Sequence, residues 1–158
     1  MYRLFENKPT VMEGSRKRNE RFAVLNIKEK YRSRVEAILQ HDYETISKFG
    51  HHVMETVEGD IVVLAHGSVV HGPELVFAGK YYTADVALNY IKKHITGKKI
   101  ILVSCYCGKI IKDIGEETIV PVFDTDTTIS RNGRFIASNR MNEHGEHYFE
   151  FILENPSI

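Results

Sequence analysis

Two short runs constrain what this chain can fold into more than any other feature. Ile61 to Ala65 (IVVLA) and Ile100 to Val103 (IILV) are unbroken apolar stretches rich in β-branched residues. A strand with one wet face alternates apolar and polar residues, whereas a strand covered on both faces does not, so both runs read as buried parallel strands. The segment between them is long enough for the crossover that parallel neighbours require. Each run also ends on chemistry. The first continues into His66-Gly67-Ser68, and the second into Ser104-Cys105-Tyr106-Cys107-Gly108, which holds both cysteines of the chain.

The remaining pattern arranges itself around these two runs. Phe22 to Ile27 (FAVLNI) reads as a first strand. Lys30 to Gln40 and Tyr43 to Glu58 read as helices, because Val35, Ile38 and Leu39, then Ile46, Phe49, Val53 and Met54, fall at helical spacing. Inside the crossover, Glu74 to Phe77 and Lys80 to Tyr82 flank Ala78-Gly79 as a small hairpin. A helix follows, with Thr83 as its N-cap, Asp85 at its positive end, an apolar stripe of Ala87, Ile91 and Ile95, and Gly97 as its stop. Thr118 to Phe123 is a third apolar run, in which Pro121 marks an edge or a bulge. Arg131-Asn132-Gly133 signals a tight turn, and Glu146 to Leu153 reads as a final strand or helix. Met1 to Glu20 shows little periodicity and carries the basic cluster Arg16-Lys17-Arg18, so it reads as a solvated N-terminal extension to a single α/β domain over residues 21–158.

A chain of 158 residues is enough to bury one domain core without disulfides or metals. Lys plus Arg equal Asp plus Glu at 21 each, which leaves no net field to draw in nucleic acid or an acidic membrane. No window approaches the roughly 18 apolar residues of a membrane span, and the N-terminus has no apolar signal region. The expectation is a cytoplasmic protein with neither nucleic acid nor membrane as partner. Cysteines at i, i+2 of an extended strand share a face, but their Cα atoms lie about 7 Å apart, near the far limit of what a disulfide spans, and they make a poor pair, so both read as free thiols in a reducing compartment.

In an open parallel sheet, ligands gather at the carboxyl ends of the strands, and His66 and Cys105 both fall at such ends. This is an arrangement for a cysteine nucleophile with a histidine acid/base. A free thiol is only a few per cent thiolate at neutral pH, so a histidine both helps generate the nucleophile and protonates the departing amine. Gly67 and the backbone N–H of Cys105 supply a candidate oxyanion hole, since glycine lets the main chain approach a substrate carbonyl. Asp124 and Asp126 follow the third run at the same rim; they either cap a turn or face a basic substrate side chain, which points to cleavage after lysine or arginine. His71, five residues beyond His66, is the rival base. Cys105, Cys107 and a histidine fall short of the four ligands of a closed zinc site, and no second paired-ligand motif is present. His51-His52 read as solvated, and His144 with His147 becomes a metal pair only if Glu143 or Glu146 joins it. The pattern calls for no metal and no cofactor.

Taken in order, the apolar strand, His66-Gly67, the hairpin, the Thr-capped helix, the second apolar strand and Ser104-Cys105-Tyr106-Cys107-Gly108 resemble the caspase-like cysteine peptidases of clan CD. That group includes caspases, clostripain, gingipain, the self-cleaving domains of large bacterial toxins and the CHAT peptidases. Many members carry cysteine, any residue, serine, glycine; here Cys107 stands in the place of the serine. The resemblance implies an α/β, caspase-like three-layer fold with a central, mostly parallel sheet. It also implies a cysteine endopeptidase acting on protein or peptide substrates without a cofactor, with Cys105 as nucleophile and His66 as general base. Two rivals stand beside it. One is a catalytically silent caspase-like domain that binds a partner. The other is a sirohydrochlorin-type metal chelatase, suggested by Ala65-His66-Gly67-Ser68; there the motif opens the domain, whereas here a long segment precedes it. Neither pattern nor resemblance sets an oligomeric state.

Overall fold

The computed structural model describes residues 16–18, 22–41, 43, 52–77, 79–95, 97–115, 118–123, 129 and 133–155. In chain order, β1 (Arg16–Arg18) and β2 (Phe22–Lys28) lead through a 3-10 turn at Glu29–Tyr31 into α1 (Arg32–Leu39). Then come β3 (His52–Glu55), β4 (Ile61–Leu64), and the short strands β5 (Gly67–Ser68), β6 (Glu74–Phe77) and β7 (Lys80–Thr83), which precede α2 (Ala84–His94). After β8 (Ile100–Val103), α3 (Cys107–Ile114) and β9 (Ile119–Pro121), the hairpin of β10 (Arg134–Met141) and β11 (His147–Glu154) completes the described chain.

These strands form three sheets, ordered β1-β2-β11-β10, β3-β4-β8-β9 and β5-β6-β7. The first is antiparallel throughout. The second is mixed: β4, β8 and β9 run parallel, and β3 is added antiparallel at the edge. The third is a small antiparallel sheet lying within the β4-to-β8 connection.

The expected architecture, a caspase-like three-layer fold around one central, mostly parallel sheet with helices on both faces, is overturned. Among the described residues, antiparallel and mixed sheets of four, four and three strands predominate, with three short helices. Phe22 to Ile27, expected as a first strand of that sheet, falls on β2, but it stands in a separate sheet and pairs antiparallel with β1 on one edge and β11 on the other. Positions 23–27 of that strand are all buried, and apart from Asn26 they are apolar, so it carries the composition of a doubly covered strand without being parallel. Burial on both faces, not strand direction, is what such a run records.

The helix expected over Tyr43 to Glu58 is also corrected in its described part. His52–Glu55 is a strand hydrogen-bonded to β4, with Val53 opposite Val63. The two are joined by a tight turn in which the Thr56 N–H donates to the Asp60 carbonyl at 2.9 Å and Gly59 takes φ +92°. A partner strand as apolar as β4 overrides the local helical spacing. Thr83 does occupy the N-cap of α2, but its side chain makes no capping hydrogen bond; the Ala84 N–H donates to the Pro73 carbonyl at 2.9 Å instead. The segment expected over Glu146 to Leu153 as a strand or helix is the strand β11, His147–Glu154.

One core joins the sheets. Leu25, Phe135, Phe149 and Phe151 from the antiparallel sheet pack in the same cluster as Val62, Leu64, Ile101 and Val103 from the mixed sheet. Backbone links tie them as well: Ile27 bridges Thr56, and the Val57 N–H donates to the Asn26 carbonyl at 2.9 Å. Over this seam Glu55 accepts from Lys28 at 2.7 Å and from Lys98 at 2.5 Å. The two ammonium groups hold the Glu55 carboxyl at a pKa of about 2, below its usual range.

Candidate functional site

The parallel pairing of β4 with β8 decides where the reactive residues go. Leu64 is in register with Val103, and the ladder runs one step further as the Ala65 N–H donates to the Val103 carbonyl at 3.1 Å. His66-Gly67 and Ser104-Cys105 therefore leave neighbouring strands at the same end of the sheet. How close they come is recorded at Gly67: a Cβ there would lie 2.5 Å from the Cys105 carbonyl oxygen and 2.9 Å from Ser104 Oγ. Only a residue without a side chain fits without displacing backbone.

Cys105 sits at a sharp change of direction. Tyr106, immediately after it, has φ 58° and ψ 22°, the left-handed region, and α3 begins at Cys107. A bulky non-glycine residue in that region is strained, and such strain is held at sites where the surrounding structure fixes it. The turn leaves Cys105 half-buried and sends Cys107 into the core. The Ile129 N–H donates to Cys105 Sγ at 3.3 Å. Burial pushes the Cys105 thiol up, opposed by that Ile129 N–H and by a hydrogen bond with Tyr43. At rest the group is a thiol, which needs a base to become a nucleophile. Cys107 is also pushed up by burial, and its Sγ lies 3.7 Å from the Phe123 carbonyl.

Tyr43 and Tyr81 are neighbours of Cys105 and His66 that the sequence reading passed over. Tyr43 is buried; its hydroxyl donates to the Ala65 carbonyl at 3.0 Å, and burial holds that hydroxyl well above its ordinary pKa. It joins the residue before His66 to the Cys105 sulfur. Tyr81 and His66 meet in a T-shaped contact, with ring centroids 6.0 Å apart and planes at 82°. A tyrosine within a helical-looking stretch, or on an exposed hairpin, carries no local mark of either role.

The other candidates separate from this point. His71 lies exposed in the turn between β5 and β6. Asp124, Asp126 and His51 lie outside the described residues. His52 is on β3, and His147 is an exposed residue at the start of β11. His144 lies 3.6 Å from Glu143, both well exposed. Among the described residues, no group of three or more His, Cys, Asp or Glu side chains comes together to hold a metal ion. No helix among them is long and apolar enough to cross a membrane. Comparison with protein-family models, with curated proteins and with solved structures returned no match.

Proposed function

We propose that this chain is a cysteine peptidase in which Cys105 attacks a peptide carbonyl and His66 moves the proton. The observation that carries the reading is the contact of Gly67 with the Cys105 carbonyl at the ends of two adjacent parallel strands. It brings the backbone of the residue after His66 against the carbonyl of Cys105, which supports pairing the two side chains. The proposal concerns this pair of residues, not the caspase-like architecture.

Burial keeps the sulfur protonated, so His66 takes its proton as the Sγ–C bond forms, rather than holding a preformed thiolate. The resulting imidazolium gives that proton to the amine nitrogen as the C–N bond breaks, leaving a thioester on Cys105. Water then attacks the thioester, with His66 again as base, and releases the acid and the thiol. The tetrahedral oxyanion falls to the backbone at Gly67 and Cys105. Cleavage after a basic residue remains part of the proposal through Asp124 and Asp126.

A binding-only domain is the rival, favoured by the same burial that leaves the Cys105 thiol unreactive at rest. Turnover of a peptide library by purified variants separates them. Cys105→Ala and His66→Ala should each lose on the order of 10²-fold or more, and the double variant should be little worse than either single one. Full activity in Cys105→Ala, or activity surviving His66→Ala but lost in His71→Ala, rejects the assignment.

A further inference from the structure

The β6–β7 hairpin holds His66 in two ways. The Val76 N–H donates to the His66 carbonyl at 3.0 Å, fixing the backbone. Val76 is also the register partner of Tyr81, and this pairing lays the tyrosine ring against the imidazole. Yet Tyr81 keeps 59% of its surface exposed, and all four positions of β7 are exposed. An aromatic ring in T-shaped contact with a histidine on one side still offers apolar surface to solvent.

The sheet order says which part of a substrate that surface meets. β8 lies between β4 and β9, so the strand end that leads to Cys105 has on one flank the β4 end, which leads to His66 with Tyr81 against its ring, and on the other the β9 end. The histidine must reach the departing nitrogen, which puts its flank on the leaving-group side of the scissile bond. We infer that Tyr81 determines specificity on that side. Its exposed ring receives the side chain of the residue just after the cleaved bond, and so favours aromatic or large aliphatic residues there. This rests on the Cys105–His66 reading.

The test uses the full chain and two readouts. Alkylation of Cys105 by iodoacetamide, compared between the protein and His66→Ala, checks the dyad without any peptide. Digestion of a proteome-derived peptide library, with new ends read by mass spectrometry, checks the inference. New N-termini should be enriched about fivefold in Phe, Tyr and Leu. Tyr81→Ala should flatten that preference, and Tyr81→Phe, which keeps the ring, should retain it. Unselective new N-termini, or a preference unchanged in Tyr81→Ala, overturn the inference and leave the dyad standing. An uncut library with alkylation still dependent on His66 overturns both the inference and peptide hydrolysis. Alkylation indifferent to His66 overturns the dyad itself, and the inference with it.

Discussion

The two four-stranded sheets share a core but are assembled over very different stretches of chain. In the mixed sheet β4, β8 and β9 follow one another, each parallel to the next, with helices in the connections. In the antiparallel sheet β2 pairs with β11, so Phe22–Lys28 meets Tyr148–Glu154 from the far end of the described chain. The contents differ as well. The antiparallel sheet contributes Phe135, Phe149 and Phe151 to the core and carries charge in pairs, Arg134 with Glu154 at 2.8 Å and Arg140 with Glu150 at 3.3 Å. The mixed sheet presents its thiol, its histidine and a strained turn at one rim. Parallel neighbours bring like ends together and so can gather reactive groups from separate strands; antiparallel neighbours alternate ends and supply a scaffold.

If that division of labour holds, the largest effect on stability comes from the scaffold. Phe151 is fully buried, lies between Leu25 and Ala137 in the ladders, and packs on Phe135 with ring centroids 4.6 Å apart. Phe151→Ala should cost about 3 to 5 kcal/mol in urea unfolding. In the fraction that remains folded, His66-dependent alkylation of Cys105 should be unchanged. A loss of thiol reactivity per folded molecule would show that the two sheets are not separable.

Gly67→Ala attacks the other side of the comparison. The added methyl meets the Cys105 carbonyl at 2.5 Å, and backbone yields less readily than the far end of a flexible side chain. The two strand ends must part, at roughly 1 to 3 kcal/mol by analogy with overpacked cores. Peptide turnover should fall at least about tenfold, because displacement of a reacting group by an ångström is costly to catalysis. Wild-type turnover in a folded Gly67→Ala protein would separate the close approach from function.

The seam between the sheets is tested by pH. The Glu55 carboxyl is lowered from 4.5 to about 2 by its bonds to Lys28 and Lys98, so the folded state binds that proton less readily than the unfolded chain. Its contribution is present in full above about pH 5 and is lost as pH falls through about 2. Both lysines are near 40% exposed at 39% and 44%, and solvent screening reduces the contribution to about 1 to 2 kcal/mol. Urea midpoints should drop across that acid window, and Glu55→Gln should flatten the drop. An equally steep decline in the variant would place the acid sensitivity elsewhere.

The contrast between the sheets also explains what the sequence disclosed. Ile61–Leu64 and Ile100–Val103 declare themselves because burial on both faces leaves no polar interruption, and the residues that follow them are few and chemically distinctive. Phe22 to Ile27 is the strand its composition announced, but nothing in it tells that it pairs antiparallel on both edges, since such a strand covered on both faces is nearly as apolar. The pairing of β2 with β11 leaves no local trace, because register across such a separation is set only when the core closes. At His52–Glu55 the local spacing favoured a helix, and the partner strand decided otherwise. Tyr43 and Ile129 reach the Cys105 sulfur from distant parts of the chain, so nothing in their own neighbourhoods announces them.

The smallest effect is expected at the second thiol. Cys107 opens α3, is fully buried among Ile110, Val122 and Phe123, and directs its Sγ toward the Phe123 carbonyl at 3.7 Å. Burial pushes its thiol up and keeps it protonated, so it offers neither a nucleophile nor a route for alkylating agents. Cys107→Ser shortens the side chain slightly and substitutes a hydroxyl that can donate to the same carbonyl more strongly. The gain of that hydrogen bond and the loss of a small hydrophobe nearly offset, leaving a change of about 1 kcal/mol or less. Peptide turnover and Cys105 alkylation should stay within about twofold of the parent, because the strand end, the Tyr106 turn and the Gly67 contact are all kept. Mass spectrometry after limited iodoacetamide treatment should find the label on Cys105 in both proteins. A label on Cys107 in the parent, or turnover abolished by Cys107→Ser, would show that the sulfur facing the core, and not the one at the strand rim, performs the chemistry.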